Sequence, residues 1–234
     1  MGILSENILF GIIISLIAFE IGLFIYKKTK FPLFNPLLIA IILVIGFLIV
    51  FDINVDSYNK GGQFINMFLG PATVVLAVPL YKQLQLLKKH LLPILIGILI
   101  GSAIGISSVI LLANIFGMEK ILTISLLSKS VTTPIGIEIT NQLGGLPPVT
   151  VLAIVISGIF GAIIGPILCK IFKINDNVAI GIALGTASHA LGTTKALELG
   201  ETEGAMSSLS IGIAGIMTVF LAPSCYALLS MLIK

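Results

Sequence analysis

Two stretches of this sequence set polar and ionisable residues inside apolar surroundings. The first runs Ser128-Lys129-Ser130-Val131-Thr132-Thr133-Pro134-Ile135-Gly136-Ile137-Glu138. Pro134 removes a backbone donor and disfavours helix at Thr133, so a helix entering here must break between Lys129 and Pro134. The second runs Leu184-Gly185-Thr186-Ala187-Ser188-His189-Ala190-Leu191-Gly192-Thr193-Thr194-Lys195 and continues to the acids Glu198 and Glu201. It surrounds one histidine with small and hydroxyl residues. A neutral histidine can take up a proton near physiological pH, and the N-terminus of a half-helix attracts anions. Lys129 beside such N-termini suits a carboxylate. The candidate binding residues are therefore Lys129, Ser130, Thr132, Thr133, Pro134, Gly185, Thr186, Ser188, His189, Gly192 and Thr193, with His189 and Glu138 as candidates for moving a proton.

Each of these residues also has a plainer reading. Small residues in an apolar helix serve close helix packing more often than a site. His189 could simply bond a neighbouring carbonyl. Lys195, Glu198, Glu201 and Glu203 fit a membrane interface, where charge costs little. Glu20, inside the first apolar run, either pairs with a lysine or lines a cavity. Lys129 is the hardest to dismiss, because it lies beside the break.

The elements that hold these stretches are membrane helices. Apolar residues make up 57% of the 234 and charged residues only 10%, against about 25% charged in soluble domains. The mean hydropathy is +1.19. All 13 basic side chains are lysine, and the formal charge of +3 is spread over connecting segments, so nothing points to nucleic acid. Cys169 and Cys225 lie alone in apolar runs, which gives neither a disulfide framework nor a metal motif. No glycine-rich nucleotide loop, nucleophile elbow or paired His/Glu metal motif is present, which argues against a membrane enzyme and against a metal or cofactor. Ser5-Glu6-Asn7 precedes the first apolar run and Lys27-Lys28 follows it, the order of an uncleaved first helix rather than a secretory leader.

About 20 apolar residues cross a hydrocarbon core. Clean spans are expected at 8–26, 33–51, 91–116, 149–172 and 205–233. Three more segments, 62–84, 121–143 and 178–197, are long enough but carry polar or helix-breaking residues. The expected fold is thus an all-α, multi-pass transmembrane bundle of seven to eight hydrophobic segments, one domain over 1–234. Lysine placement orients it, with Lys27, Lys28 and Lys30 on the cytoplasmic side. Lys170 and Lys173 reach that side only if 121–143 dips in and returns as a re-entrant hairpin, which is favoured. A single broken crossing is the alternative. The N-terminus is then external and the C-terminus cytoplasmic.

At a shift of 115 residues the two halves resemble each other. Leu69-Gly70-x-Ala72-Thr73-x-x-Leu76 aligns with Leu184-Gly185-x-Ala187-Ser188-x-x-Leu191, Gly46 with Gly161, and Ile96-Gly97-Ile98 with Ile211-Gly212-Ile213. The repeats would cover about 33–116 and 148–233. With the hairpin they run in opposite directions, and inverted repeats with broken helices are a mark of secondary transporters. The helix breaks are expected at Pro71 or Pro79 in the first copy and at Gly185 or Gly192 in the second.

Lys129-Ser130-Val131-Thr132-Thr133-Pro134-Ile135-Gly136 and Gly185-Thr186-Ala187-Ser188-His189-Ala190-Leu191-Gly192-Thr193, extended by Glu198-Leu199-Gly200-Glu201-x-Glu203-Gly204-Ala205, resemble the signatures of the LrgB/CidB family. The likeness covers essentially the whole chain. One departure is Thr194, where the family pattern has alanine or serine. The resemblance implies a bacterial inner-membrane protein, expected to form homo-oligomers, and two functions. One is antiholin-like control of murein hydrolase export and lysis with a holin-like LrgA/CidA partner. The other follows a plant relative resembling a plastid glycolate and glycerate translocator. It implies a carrier of small monocarboxylates, coupled to protons, in the lipid bilayer. Two broken, polar motifs favour the carrier, because a lysis regulator needs only simple spans.

Overall fold

A computed structural model describes residues 7–29, 34–68, 71, 74–75, 77–82, 84–89 and 91–232. The described residues are helical throughout and fall into two compact units, Met1–Val75 and Leu76–Lys234.

In the first unit α1 spans Ile8–Thr29, α2 Pro36–Val50 and α3 Val55–Asn66. Asn35 caps α2 through its side chain, which accepts from the amides of Leu37 and Leu38, with Pro36 at the first helical position. Asn54 caps α3 in the same way, accepting from Asp56 N. Helix α1 buries Gly11, Ala18 and Gly22 and lays Gly11 against the backbone of Gly61 in α3. Ser15 Oγ and Tyr58 OH, 2.8 Å apart, join the same pair of helices. Glu20 is exposed and lies outside the apolar cavity of this unit, which Ser15, Phe19, Ala40 and Tyr58 help to line. Neither reading offered for Glu20 is met among the described residues.

The second unit contains α4 (Ala77–Lys82), α5 (Leu84–Lys89), α6 (Leu91–Ile115), α7 (Lys120–Leu126), α8 (Thr133–Leu143), α9 (Pro147–Ile171), α10 (Asn177–Leu199) and α11 (Glu201–Leu232). Across both units four helices are long and apolar enough to cross a membrane: α1, α6, α9 and α11 over Glu201–Leu228. Helix α2 is apolar but only 15 residues long. Of the expected span at 62–84, the described part shows α3 ending at Asn66 with a turn at Met67 and Phe68, and residues 69–70, 72–73, 76 and 83 lie outside the described residues.

Side-chain contacts give the direction of each element in the second unit. Ile94 and Ile98 of α6 cluster with Ala205, Met206 and Ala214 of α11, while Ile106, Val109 and Ile110 cluster with Ala222. Helices α6 and α11 therefore run parallel. They are the pair that a 115-residue repeat makes into copies, so the inversion expected at that register is absent. Of its first-copy motif, Leu69, Gly70, Ala72, Thr73 and Leu76 lie outside the described residues.

Helices α7 and α8 are antiparallel arms of a hairpin whose turn, Leu127–Thr132, falls at the break expected before Pro134. Four buried hydroxyls zip the arms to the start of α9. Ser125 Oγ accepts from Leu146 N at 2.7 Å, Thr150 Oγ1 donates to Ser125 O at 2.8 Å, Thr140 and Thr150 hydroxyls meet at 2.8 Å, and Ser128 Oγ donates to Gly136 O at 3.2 Å. Gly144, at φ 78°, ends α8 in a left-handed turn that glycine adopts without strain.

Helix α10 also folds back on itself. The reversal is at His189, φ 42° and ψ −131°, not at Gly185 or Gly192. Gly181 and Leu197, on opposite arms, both reach the first turn of α11 at Glu203 and Gly204. Gly185 and Thr193 both reach Ser207. A Cβ on Gly192 would collide with Leu184 O of the first arm, so the tight return needs glycine.

The two hairpins enter from opposite ends of the unit. Lys120 Nζ lies 5.7 Å from the Tyr226 ring centroid at one end. At the other, Lys82 pairs with Glu201 at 3.2 Å, and Lys88, Lys89, Lys170 and Lys173 close neighbouring helices. Because α10 returns instead of crossing, α11 starts at the lysine-rich end and finishes at the far end. That corrects the expectation that the C-terminus shares a face with Lys170 and Lys173; Ile233 and Lys234 themselves lie outside the described residues.

Candidate functional site

The tips of the two hairpins meet along one stretch of α9. Ser157 Oγ donates to Lys129 O at 2.6 Å, and His189 Nε2 bonds Ile154 O at 3.0 Å. Residues 154–158 lie roughly 10–16 Å along α9 from its start at ~1.5 Å per residue, near the middle of a ~30 Å hydrocarbon core.

Each tip is built by local sequence. At the first, Thr132 precedes α8 with no side-chain cap, and Pro134 occupies its first turn. The free amides at that helix start face the middle of the unit. Lys129 Nζ is 3.3 Å from Ser130 Oγ, and both residues are partly buried. At the second tip, His189 is buried, and its ring nitrogen must carry hydrogen to bond a carbonyl. A Cβ on Gly158 would sit 2.6 Å from His189 Cε1, so the imidazole occupies space that only glycine leaves open. Thr193 Oγ1 donates to His189 O at 3.0 Å, which leaves it to accept from Ser207 Oγ at 2.7 Å.

A cavity of about 560 Å³ runs beside these tips. Asp176, Pro93 and Val178 stand at its lysine-rich end, with Asp176 exposed. Lys129, Ser130, Leu127 and Thr218 stand at its inner end. Thr186 and Ala187 of the second hairpin face Gly101, Ser102 and Gly105 of α6 across it. The Thr186 hydroxyl is buried with no hydrogen-bond partner among the described residues.

Of the candidate residues, Lys129, Ser130 and Thr186 line this cavity. Thr132 and Thr133 stay at the first tip, partly buried, and Pro134 is exposed. Gly185, Ser188, Gly192 and Thr193 pack the second hairpin together or against α9 and α11. Ser188 Oγ is pressed onto Gly161 and has no hydrogen-bond partner among the described residues. His189 faces α9 rather than the cavity. Glu138 is exposed and accepts from Gln142 Nε2 at 3.0 Å. Of the charges assigned to an interface, Lys195 pairs with Glu198 at 2.7 Å and Glu201 with Lys82 at 3.2 Å, whereas Glu203 is buried in the first turn of α11, against that reading. Ser102 and Thr218, on α6 and α11, are cavity residues that the two motifs did not include. A lone hydroxyl in an apolar helix carries no signal of its own.

Paired hairpins within a bundle of apolar helices define this chain as a multi-pass α-helical membrane protein. Residues 15–228 match the LrgB-like family, and the chain belongs to that family. Among its relatives is the uncharacterized protein YxaC of Bacillus subtilis (strain 168), 44% identical over 199 residues, which are 85% of this chain and 86% of that protein. The antiholin-like protein LrgB of Bacillus cereus (strain B4264) is 40% identical over 215 residues, 92% of this chain and 94% of that protein. The antiholin-like protein LrgB of Bacillus anthracis (strain CDC 684 / NRRL 3495) is similar to the same degree. No solved structure matches the chain.

Proposed function

We propose that this protein is a secondary carrier of small monocarboxylates in the bacterial inner membrane, coupled to protons, and not an enzyme. The observation that carries the reading is the meeting of two hairpin tips at mid-depth beside a cavity lined by Lys129, Ser130 and Thr186. Irregular backbone at that depth is tolerated only against protein or a cavity. A lysine and half-helix N-termini beside such a cavity suit one carboxylate.

The arrangement also supports reading α6 with the first hairpin, and α9 with the second, as inverted copies. The two long helices end 56 positions apart, at Ile115 and Ile171. Each is followed by a hairpin that returns to the end it came from. An excess of lysine marks the cytoplasmic side, so the cavity faces the cytoplasm.

A second reading is favoured by the relatives' names: an antiholin-like regulator of lysis acting with a small holin-like partner. Uptake of labelled pyruvate or glycolate into proteoliposomes separates the two. The carrier reading expects saturable uptake that Lys129→Gln abolishes while the variant still inserts. No uptake above protein-free vesicles, under either polarity of a pH gradient, would leave the regulator.

A further inference from the structure

The cavity is too large and too apolar for a three-carbon acid alone. At about 560 Å³ it falls among pockets of roughly 300–1,000 Å³ that enclose drug-sized ligands. Its polar groups are gathered at the inner end, where Lys129 supplies the cation and Ser130 a hydroxyl beside it. Between that end and Asp176 the walls are hydrocarbon and bare backbone. Gly97, Gly101 and Gly105 present one side of α6, and Ile182 and Ala183 of the second hairpin stand opposite. A Cβ on Gly97 would touch Ile182 Cγ2 at 4.0 Å and one on Gly101 would press on Thr186 Cγ2 at 3.3 Å, while one on Gly105 would meet nothing within 4 Å. Open width is left at Gly105, and at Gly97 and Gly101 the absent side chains let the second hairpin come close to α6. One cation at the inner end and an acid at the mouth match a ligand with one negative charge at one end and none at the other.

We infer that the ligand is an amphipathic monocarboxylate, its carboxylate at Lys129 and Ser130 and an aliphatic tail of several carbons lying along the α6 side of the cavity toward its mouth. This rests on the carrier reading and adds the tail. A dicarboxylate is rejected, because its second charge would face hydrocarbon or Asp176. Each added methylene moves about 0.8 kcal/mol of apolar surface out of water, so affinity rises about fourfold per carbon until the tail reaches the mouth.

The test is calorimetric binding of straight-chain carboxylates of two to eight carbons, with pyruvate and succinate, to the whole protein in nanodiscs. Ligand-free nanodiscs correct for partition into lipid. The expected result is a fourfold gain per carbon to about six carbons, no succinate binding, and a gain cut below twofold in Gly97→Val. A matched alkylammonium series binds no better than to empty nanodiscs. If pyruvate binds but longer acids bind equally or more weakly, or if Gly97→Val keeps the full gain, the tail is wrong and the carrier reading stands. If no carboxylate of any length binds, both fall.

Discussion

Replacing Gly158 tests the junction on which the two hairpins depend. A methyl group there would come within 2.6 Å of His189 Cε1 and 2.7 Å of Nε2, closer than real carbon contacts allow. Gly158 is in the middle of α9, and His189 is anchored by its bond to Ile154 O one turn earlier, so the imidazole cannot slide away and keep that bond. Overpacking costs about 1–3 kcal/mol, and loss of a buried hydrogen bond adds about 0.5–1.5 kcal/mol. Gly158→Ala should therefore destabilise the detergent-solubilised protein by roughly 2–4 kcal/mol. Gly212→Ala is the control, because its methyl would meet nothing within 4 Å. It should be neutral or stabilising by up to ~1 kcal/mol from helix propensity alone. In Gly158→Ala/His189→Ala the clash with the imidazole disappears and only the flexible end of Leu191, 2.9 Å away, must shift, so the cost of the double change should fall well below the sum of the single ones. Thermal unfolding of the four variants reads all of this. Additive costs, or a Gly158→Ala protein as stable as Gly212→Ala, would mean that His189 does not rest on α9.

Three further outcomes follow from the same contacts. Thr150→Val keeps the shape but removes the donor to Ser125 O and leaves Thr140 Oγ1 only a 3.4 Å bond to Ser128 Oγ in the buried hydroxyl ladder; it should cost about 1–3 kcal/mol in thermal unfolding, whereas Thr194→Val, exposed on the second hairpin, should cost less than about 0.5 kcal/mol. In a background with Cys169 and Cys225 replaced by serine, Asn141→Cys and Lys173→Cys should react with an impermeant maleimide from opposite sides of the membrane, and labelling from one side would break the first hairpin. His189→Gln should slow uptake in proteoliposomes and flatten its dependence on pH between about 5 and 8, and an unchanged profile would remove His189 from proton movement.

The sequence carried the two breaks to different degrees, and backbone chemistry explains why. Pro134 has a fixed effect on its neighbours, so the first turn was legible to within a few residues. His189 has no such effect. Its left-handed backbone is held by Thr193, Gly158 and the close return at Gly192, all of which act only once the chain has folded. A run such as Ala187-Ser188-His189-Ala190 reads equally well as continuous helix, and from that follow the misplaced C-terminus and the crossing drawn through 178–197. The repeat failed for a related reason. Glycine and leucine matches at 115 residues reflect shared composition, while the likeness of α6 to α9 lies in the hairpin that follows each, with side chains that differ. Of the site, Lys129, Ser130 and Thr186 were visible as polar groups out of place. Ser102 and Thr218 were not, because what selects them is the cavity they face.

Packing accounts for His189 and not for Lys129. The imidazole is bonded to Ile154 O and fills a space kept open by Gly158, so a structural role alone would retain it. Lys129 has one weak contact, 3.3 Å to Ser130 Oγ, and among the described residues no carboxylate partner. A lysine at membrane depth costs roughly 2.5–3.5 kcal/mol on insertion scales, and a single long hydrogen bond offsets little of that. A residue whose removal would stabilise the fold is kept for another purpose. Lys129→Met, which preserves length and apolar contacts, should therefore melt at a higher temperature than the wild type while carboxylate uptake is lost. If Lys129→Met is instead less stable, the ammonium is a structural group with a partner, and the cavity loses its claim to the anion.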